Sequence, residues 1–225
     1  MTLARLAELR RTPGILLVQK IVRRIPFRPL DVGKLCFLRL DTIPRVAPGL
    51  LRGPGRVRLA SIEDLDALVA LRDQRQVFLD RFAEGDRCVV AEVGGRIAGY
   101  EWFCDRDSHE ETAWGYRIAI PPAFVYTYDA FIDPAYRNSG IWLRFKAHLG
   151  QLMMESGHVG VLTFVDYGNW PSLRTHLRFG FKPAGDVLAL RILGKLLSRA
   201  SKAASGFGPL ATGGPEPEPL KPKAT

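Results

Sequence analysis

Apolar residues change their spacing several times along this chain, and each change predicts an element. From Gly14 to Arg28, Val18, Ile21, Val22 and Ile25 recur at helical spacing, while Lys20, Arg23, Arg24 and Arg28 supply charge. That is the pattern of a basic amphipathic helix, which either packs its stripe on its own domain or lies on an anionic membrane. Lys34 to Leu40 reads as a short strand, and the Pro- and Gly-rich stretch Pro44 to Gly55 as a connector. Val57 to Ala60 reads as a strand. Ser61-x-x-Asp64 then resembles a capping box, opening a helix with Leu65, Leu68, Val69 and Arg72 on one face.

Two strand-like runs, Cys88 to Val93 and Arg96 to Phe103, flank Gly94-Gly95, the two-residue signature of a tight antiparallel hairpin. Asp105 to Gly115 is polar and reads as a loop, with further strands at Tyr116 to Ile120 and Phe124 to Ile132. Ile141, Phe145, Leu149 and Leu152 define a core-facing helix that stops near Gly157. Val159 to Val165 is β-branched and strand-like, Pro171 suits a helix's first turn, Gly180 ends that helix, and Val187 to Leu193 makes a final strand. The order is mixed α/β. It predicts a domain over residues 56–193, a basic extension with an amphipathic helix over 1–55, and a disordered tail over 194–225, whose composition buries too little apolar area to order itself.

Composition narrows the partners. The chain has 225 residues, 47% hydrophobic and 24% charged, enough for one sizeable core, and a formal charge of +9 that favours anions. Before Leu30, Arg5, Arg10, Arg11, Lys20, Arg23, Arg24 and Arg28 face only Glu8. Basic residues do not alternate with aromatics in a recognition motif, so no nucleic-acid partner is expected. Cys36, Cys88 and Cys104 are widely spaced without a Cys-x-x-Cys pair, which suggests neither a disulfide framework nor a zinc site and fits a reducing cytoplasm. No apolar run approaches the ~18 residues of a membrane span, and Ile15 to Val18 is shorter than a signal-peptide core of ~7–15.

The chemistry concentrates in Ile132-Asp133-Pro134-Ala135-Tyr136-Arg137-Asn138-Ser139-Gly140-Ile141-Trp142, a strand end, a turn with Arg-x-x-Gly and a helix start. Glycine lets a ligand approach the backbone, and the unpaired N–H groups of a helix's first turn favour an anion such as the pyrophosphate of coenzyme A. An ordinary β-α connection shows the same outline. One strand later come Asn169-Trp170-Pro171-Ser172 and the terminal Phe179-Gly180-Phe181. With Ile132, Pro134, Arg137 and Gly140 matching one motif and Asn169 through Phe181 the other, residues Arg56 to Leu193 resemble the GNAT superfamily of acyl-CoA-dependent N-acyltransferases.

That resemblance implies a mixed, mostly antiparallel sheet flanked by helices and splayed at a cofactor cleft. The strands ending at Ile132 and near Val165 would part so that pantetheine lies between them, with backbone at Phe131 and Ile132 freed for the ligand. Pyrophosphate would sit on the N–H groups of Asn138, Ser139, Gly140, Ile141 and Trp142, Arg137 would fix the turn or add charge, and Asn169 and Ser172 would reach the pantetheine. Trp142 departs from the small residue of the motif and reads as an inward core aromatic, as a stacking partner for the cofactor, or as a block that leaves the site non-binding.

The implied reaction is direct attack of an amine on the thioester in a ternary complex, with acetyl-CoA or a longer acyl-CoA as co-substrate and no metal. Backbone N–H groups at Ala130 to Ile132 would meet the oxyanion. Asp129 is the candidate base, or equally an anchor for a cationic acceptor. Glu101 is the second choice, although strand alternation also offers it to solvent. His176 stands where the family often carries a tyrosine acid, and equally suits a helix-face histidine bonded to a neighbouring carbonyl. The expected acceptor is a small-molecule or peptide amine. The rival reading, drawn from Trp142, His176 and the basic N-terminal helix, is a non-catalytic acyl-CoA-binding or membrane-docked module.

Overall fold

Gly94 and Gly95 adopt φ of +57° and +75°, the pair of positive values that a two-residue primed turn requires, and they close β3 (Arg87–Val93) onto β4 (Arg96–Cys104). The computed structural model describes residues 13–22, 30–42, 44, 46–47, 51–53, 55–111, 116–193, 195–201 and 210–211. They fall into two units by contact. A hairpin unit draws on residues 41–106 and 122–161, and a terminal unit draws on 1–40, 107–121 and 162–225. The architecture is mixed α/β, with mostly antiparallel sheet flanked by helices.

In the hairpin unit, β2 (Arg56–Leu59) pairs with β3, and β4 pairs with β7 (Phe124–Ile132), all antiparallel. Ser61 N–H donates to Asp64 Oδ2 at 2.9 Å, as the capping box predicts, but the box opens a 3-10 turn, Ile62–Asp64, before α2 (Leu65–Leu71) begins. α2 and α3 (Arg75–Ala83) cover one face of β4, where Phe78 meets Tyr100 and Trp102 at ring separations of 5.5 and 5.9 Å. α4 (Ile141–Glu155) packs on β2, β3 and β7, burying Ile141, Phe145 and Leu149 as the spacing predicts. Eight consecutive residues of β4, Ile97–Cys104, are therefore buried, and period-two alternation into solvent has no place there.

In the terminal unit, β1 (Leu30–Leu40) pairs antiparallel with β9 (Lys182–Ile192), and β9 pairs with β10 (Lys195–Ala200). β8 (Gly160–Asp166) neighbours β1, and Tyr167 N–H donates to Lys34 O at 2.8 Å. α5 (Trp170–Phe179) ends at Gly180. A second sheet joins β5 (Ser108–Glu111), β6 (Tyr116–Ala119) and β11 (Leu210–Ala211).

Three expectations change here. Residues 30–40, within the predicted extension, form β1, the strand that pairs with β9, and Leu35 to Leu38 are fully buried in that role. The predicted loop contains β5, stabilised by ladder bonds to β6 that no local pattern announces. The predicted tail begins with β10, which continues the β9 edge, while residues 202–209 and 212–225 lie outside the described residues.

The amphipathic helix is α1 (Pro13–Val22), and Arg23 to Arg28 lie outside the described residues. It packs on β1, with Leu16 standing over Gly168, where a Cβ would meet Leu16 Cδ2 at 2.8 Å. Ile15, Leu16, Gln19 and Val22 form the covered side, whereas Val18 and Ile21 of the predicted stripe are exposed together with Leu17. Several helical faces of this sequence are apolar enough to pack, and contact with β1 selects among them.

Candidate functional site

Register along β4 and β7 locates the first feature. Gly99 faces Ile132 and Tyr100 faces Phe131, but the next pair is Trp102 with Tyr128, so Asp129 and Ala130 together oppose Glu101. This is a β-bulge, and Asp129 at its head has φ of +42°, a left-handed conformation that aspartate tolerates better than most residues. A bulge takes backbone out of the ladder, and Ala130 is exposed.

The bulge is held by charge. Arg72 Nη1 donates to Asp129 Oδ1 at 2.8 Å and to the Tyr100 hydroxyl at 3.0 Å, and Arg81 Nη1 donates to Asp129 Oδ2 at 2.5 Å. Arg81 is itself stacked among aromatics, 4.9 Å from the Tyr128 ring centre and 5.3 Å from that of Trp102, while Arg72 lies 5.4 Å over Phe131. Burial, assisted by the charge of Asp129, pushes the Tyr100 hydroxyl above its ordinary range, so it stays protonated and donates to Asp129 Oδ2 at 3.4 Å. Two guanidiniums therefore face one carboxylate, and both oxygens of Asp129 are already acceptors. Through these contacts Asp129 ties the bulge of β7 to Arg72 and Arg81.

Across the strand, Glu101 points at α4. Its Oε1 accepts from Lys146 Nζ, which also lies 3.4 Å from Thr127 Oγ1 and 5.1 Å over the Trp142 ring. Lys146 has no exposed surface, and Glu101 Oε2 has no hydrogen-bond partner among the described residues. The solvent-facing alternative for Glu101 gives way to a buried ion pair, because α4 covers this face of β4. Trp142 is half-buried, its ring meeting the Lys146 ammonium.

The cradle follows β7 directly. Asp133 Oδ1 accepts from Ala135 N–H at 2.8 Å, Ser139 Oγ donates to Tyr136 O at 2.6 Å, and Arg137 Nε donates to Ile132 O at 3.4 Å. Ser139 N–H, expected to face a pyrophosphate, instead donates to Tyr136 O at 3.3 Å, because the turn closes on itself. Asn138 and Gly140 have φ of +64° and +82°, and Ile141 begins α4, whose first-turn N–H groups have no acceptor within the helix. Gly53 and Gly55, at the end of the predicted connector, lie against this turn and the helix after it. Arg144 Nη2 donates to Gly55 O at 2.7 Å, and a Cβ on Gly53 would stand 3.1 Å from Ser139 O.

The second motif belongs to the terminal unit. Asn169 is the N-cap of α5, its Oδ1 accepting from Ser172 N–H at 3.4 Å. His176 is buried, with Nδ1 2.9 Å from Ser172 O and 3.4 Å from Ser172 Oγ, and its ring stands edge-on to Phe181 at 5.0 Å. The helix-face histidine bonded to a carbonyl is the form observed.

A scan against protein-family models finds no match, and a search of curated proteins finds none. Solved structures do share the architecture. A GNAT-family protein from Novosphingobium aromaticivorans superposes with TM-score 0.50 at 15% identity, over 76% of this chain and 66% of that one. The fold is that of the GNAT superfamily. A GNAT-family acetyltransferase from Colwellia psychrerythraea gives TM-score 0.51 at 11% identity, over 72% of this chain and 55% of that one. A conserved protein of unknown function from Staphylococcus epidermidis gives 0.51 at 15% identity, over 76% and 64%. The chain thus spans less than two thirds of the length of each.

Within this GNAT fold, Asp129, Glu101, Phe131, Ile132 and Arg137 through Trp142 lie in the hairpin unit, and Asn169, Ser172 and His176 lie in the terminal unit. Sequence reasoning missed Arg72, Arg81, Tyr100 and Lys146. The one legible sign was a lysine next to Phe145 in the apolar stripe of α4; nothing local pairs Arg72 and Arg81 with a carboxylate about fifty positions away.

Proposed function

We propose that this chain is an acyl-CoA-dependent N-acyltransferase that moves an acetyl group from acetyl-CoA to the primary amine of a small molecule or peptide. One observation carries the reading: the Asp129–Ala130 bulge and the Arg137–Gly140 cradle follow one another on a single strand, turn and helix. The cradle suits the pyrophosphate of coenzyme A, with Asn138, Gly140, Ile141 and Trp142 offering N–H groups and Arg137 adding charge. Backbone N–H at Ala130 to Ile132, next to the bulge, suits the thioester oxygen as it gains negative charge. Attack is direct: the C–N bond forms as the C–S bond breaks, and the proton lost by the amine balances the one gained by the thiolate.

Asp129 acts here as a positioning residue. The excess positive charge of Arg72 and Arg81 disfavours a further cation beside it, so the preferred acceptors carry an anionic group near the amine rather than several amines. Incubation with acetyl-CoA and a panel of amines, read by thiol release and product mass, is expected to show amine-dependent turnover. Calorimetry that finds no uptake of coenzyme A or its thioesters by the folded chain overturns the reading. Tight uptake without turnover selects an acyl-CoA-binding module, a reading favoured by the commitment of both Asp129 and Glu101 to cations.

A further inference from the structure

The positive charge of this chain is segregated. Residues 1–40 hold nine Lys and Arg against Glu8 and Asp31, and residues 182–202 hold five against Asp186, while the stretch between carries sixteen against eighteen acids. The whole excess of +9 thus sits in two segments, both part of the terminal unit.

The same segments carry exposed apolar side chains in groups. On α1, Leu17 is 61% exposed and Ile21 57%, with Val18 beside them. On the β9–β10 hairpin, Leu193 is 80% exposed at the tip and Leu197 58%, with Leu188 and Ile192 also exposed. Elsewhere among the described residues the exposed large apolar side chains, Ile62, Val77, Met154 and Val159, are scattered in sequence. Isolated exposed aliphatics are ordinary, but grouped ones mark an interaction surface.

Register mixes the two chemistries on one face. Lys195 lies opposite Ile192, Leu197 opposite Leu190, and Arg199 opposite Leu188, and directly paired residues project to the same side of a sheet. β9 is paired in turn with β1, the strand on which α1 packs, so helix and hairpin are held on neighbouring elements of one unit. Basic groups interleaved with aliphatic tips complement a surface that offers negative charge outside and hydrocarbon just beneath. A nucleic acid offers phosphate alone and would leave Leu193 and Leu197 in water. No aromatic residue stands at these positions to stack on a base.

We propose that α1 and the β9–β10 hairpin dock this chain peripherally on an anionic phospholipid bilayer. No helix of the described residues is long and apolar enough to cross one, so the contact is interfacial. The proposal is independent of the acyltransferase reading, because none of these residues belongs to the cradle or the bulge.

The test is sedimentation of the full chain with vesicles of phosphatidylglycerol and phosphatidylcholine, against phosphatidylcholine alone. Partition into the anionic vesicles is expected to exceed that into neutral ones at least about tenfold and to fall with added salt. Leu193→Asp/Leu197→Asp and Lys195→Glu/Arg199→Glu are each expected to reduce it by about tenfold or more, with an unchanged thermal melt because the sites are exposed. Failure of the full chain to sediment with anionic vesicles at low salt overturns the proposal. So does partition that the Leu193→Asp/Leu197→Asp variant retains, or complete displacement from the vesicles by duplex DNA at equal phosphate concentration.

Discussion

A lysine with no exposed surface must be paired, and Glu101 is the partner of Lys146. Removing one member leaves the other charged and buried, so Lys146→Met alone is expected to cost about 3–5 kcal/mol in urea unfolding. Lys146→Met combined with Glu101→Leu should recover most of that loss, and a double-mutant cycle reads the coupling. At Gly140 the constraint is conformational. Its φ of +82° suits glycine, and a β-branched side chain there strains the turn that presents the first N–H groups of α4. Gly140→Val is therefore expected to abolish coenzyme A uptake by calorimetry while the chain still folds. Asp129→Asn keeps the shape of the bulge but removes the charge that two guanidiniums face. Turnover should fall by more than tenfold with coenzyme A affinity little changed, since the cradle is untouched.

Among the elements, the start of α2 shows electrostatics tied to a cap. Arg58 forks onto Asp64 at 2.7 Å through both Nη atoms while Asp64 accepts from Ser61 N–H. The Arg58 fork, against the opposing effect of burial and with help from the Ser61 amide, holds the Asp64 carboxyl below its ordinary 3.8. A depressed folded-state value adds stability that is present above the ordinary pKa and lost as pH falls below it. Asp64→Asn should therefore flatten the loss of stability below about pH 4, followed by thermal melts across the acid range. The hairpin of β3 and β4 was legible because two glycines in sequence admit few other turns. The pairing of β1 with β9 was not, because its partners lie about 150 positions apart and share no local signature.

Over the whole molecule, burial accounts for the thiols as it does for the core. Cys36, Cys88 and Cys104 are buried and free of disulfides. Desolvation raises all three, Cys36 to about 12 and Cys104 to about 11, from an ordinary 9.0. Folded values above the ordinary one mean that this contribution is complete below pH 9.0 and fades as pH climbs through about 11 and 12. The native chain should accordingly leave its thiols unreactive toward an aromatic disulfide at pH 8 and release all three on denaturation; a fast-reacting native thiol would contradict their burial. At this scale the charge pattern also acquires meaning, because the basic segments of the sequence coincide with the exposed aliphatic groups of the terminal unit.

Local physics settled much of this protein before any tertiary contact is considered. The hydrophobic period placed α4, the glycine pair placed the hairpin, and the Arg-x-x-Gly turn and Pro171 marked two helix starts, because each depends on residues within a few positions of one another. Folding decided the rest. Asp129 became a clasp between two arginines, Glu101 turned inward to a lysine, and α1 presented a different face from the one its stripe suggested. Those outcomes depend on partners brought close only when the chain packs, and a carboxylate's chemistry is set by the charges that surround it in space rather than by its neighbours along the backbone.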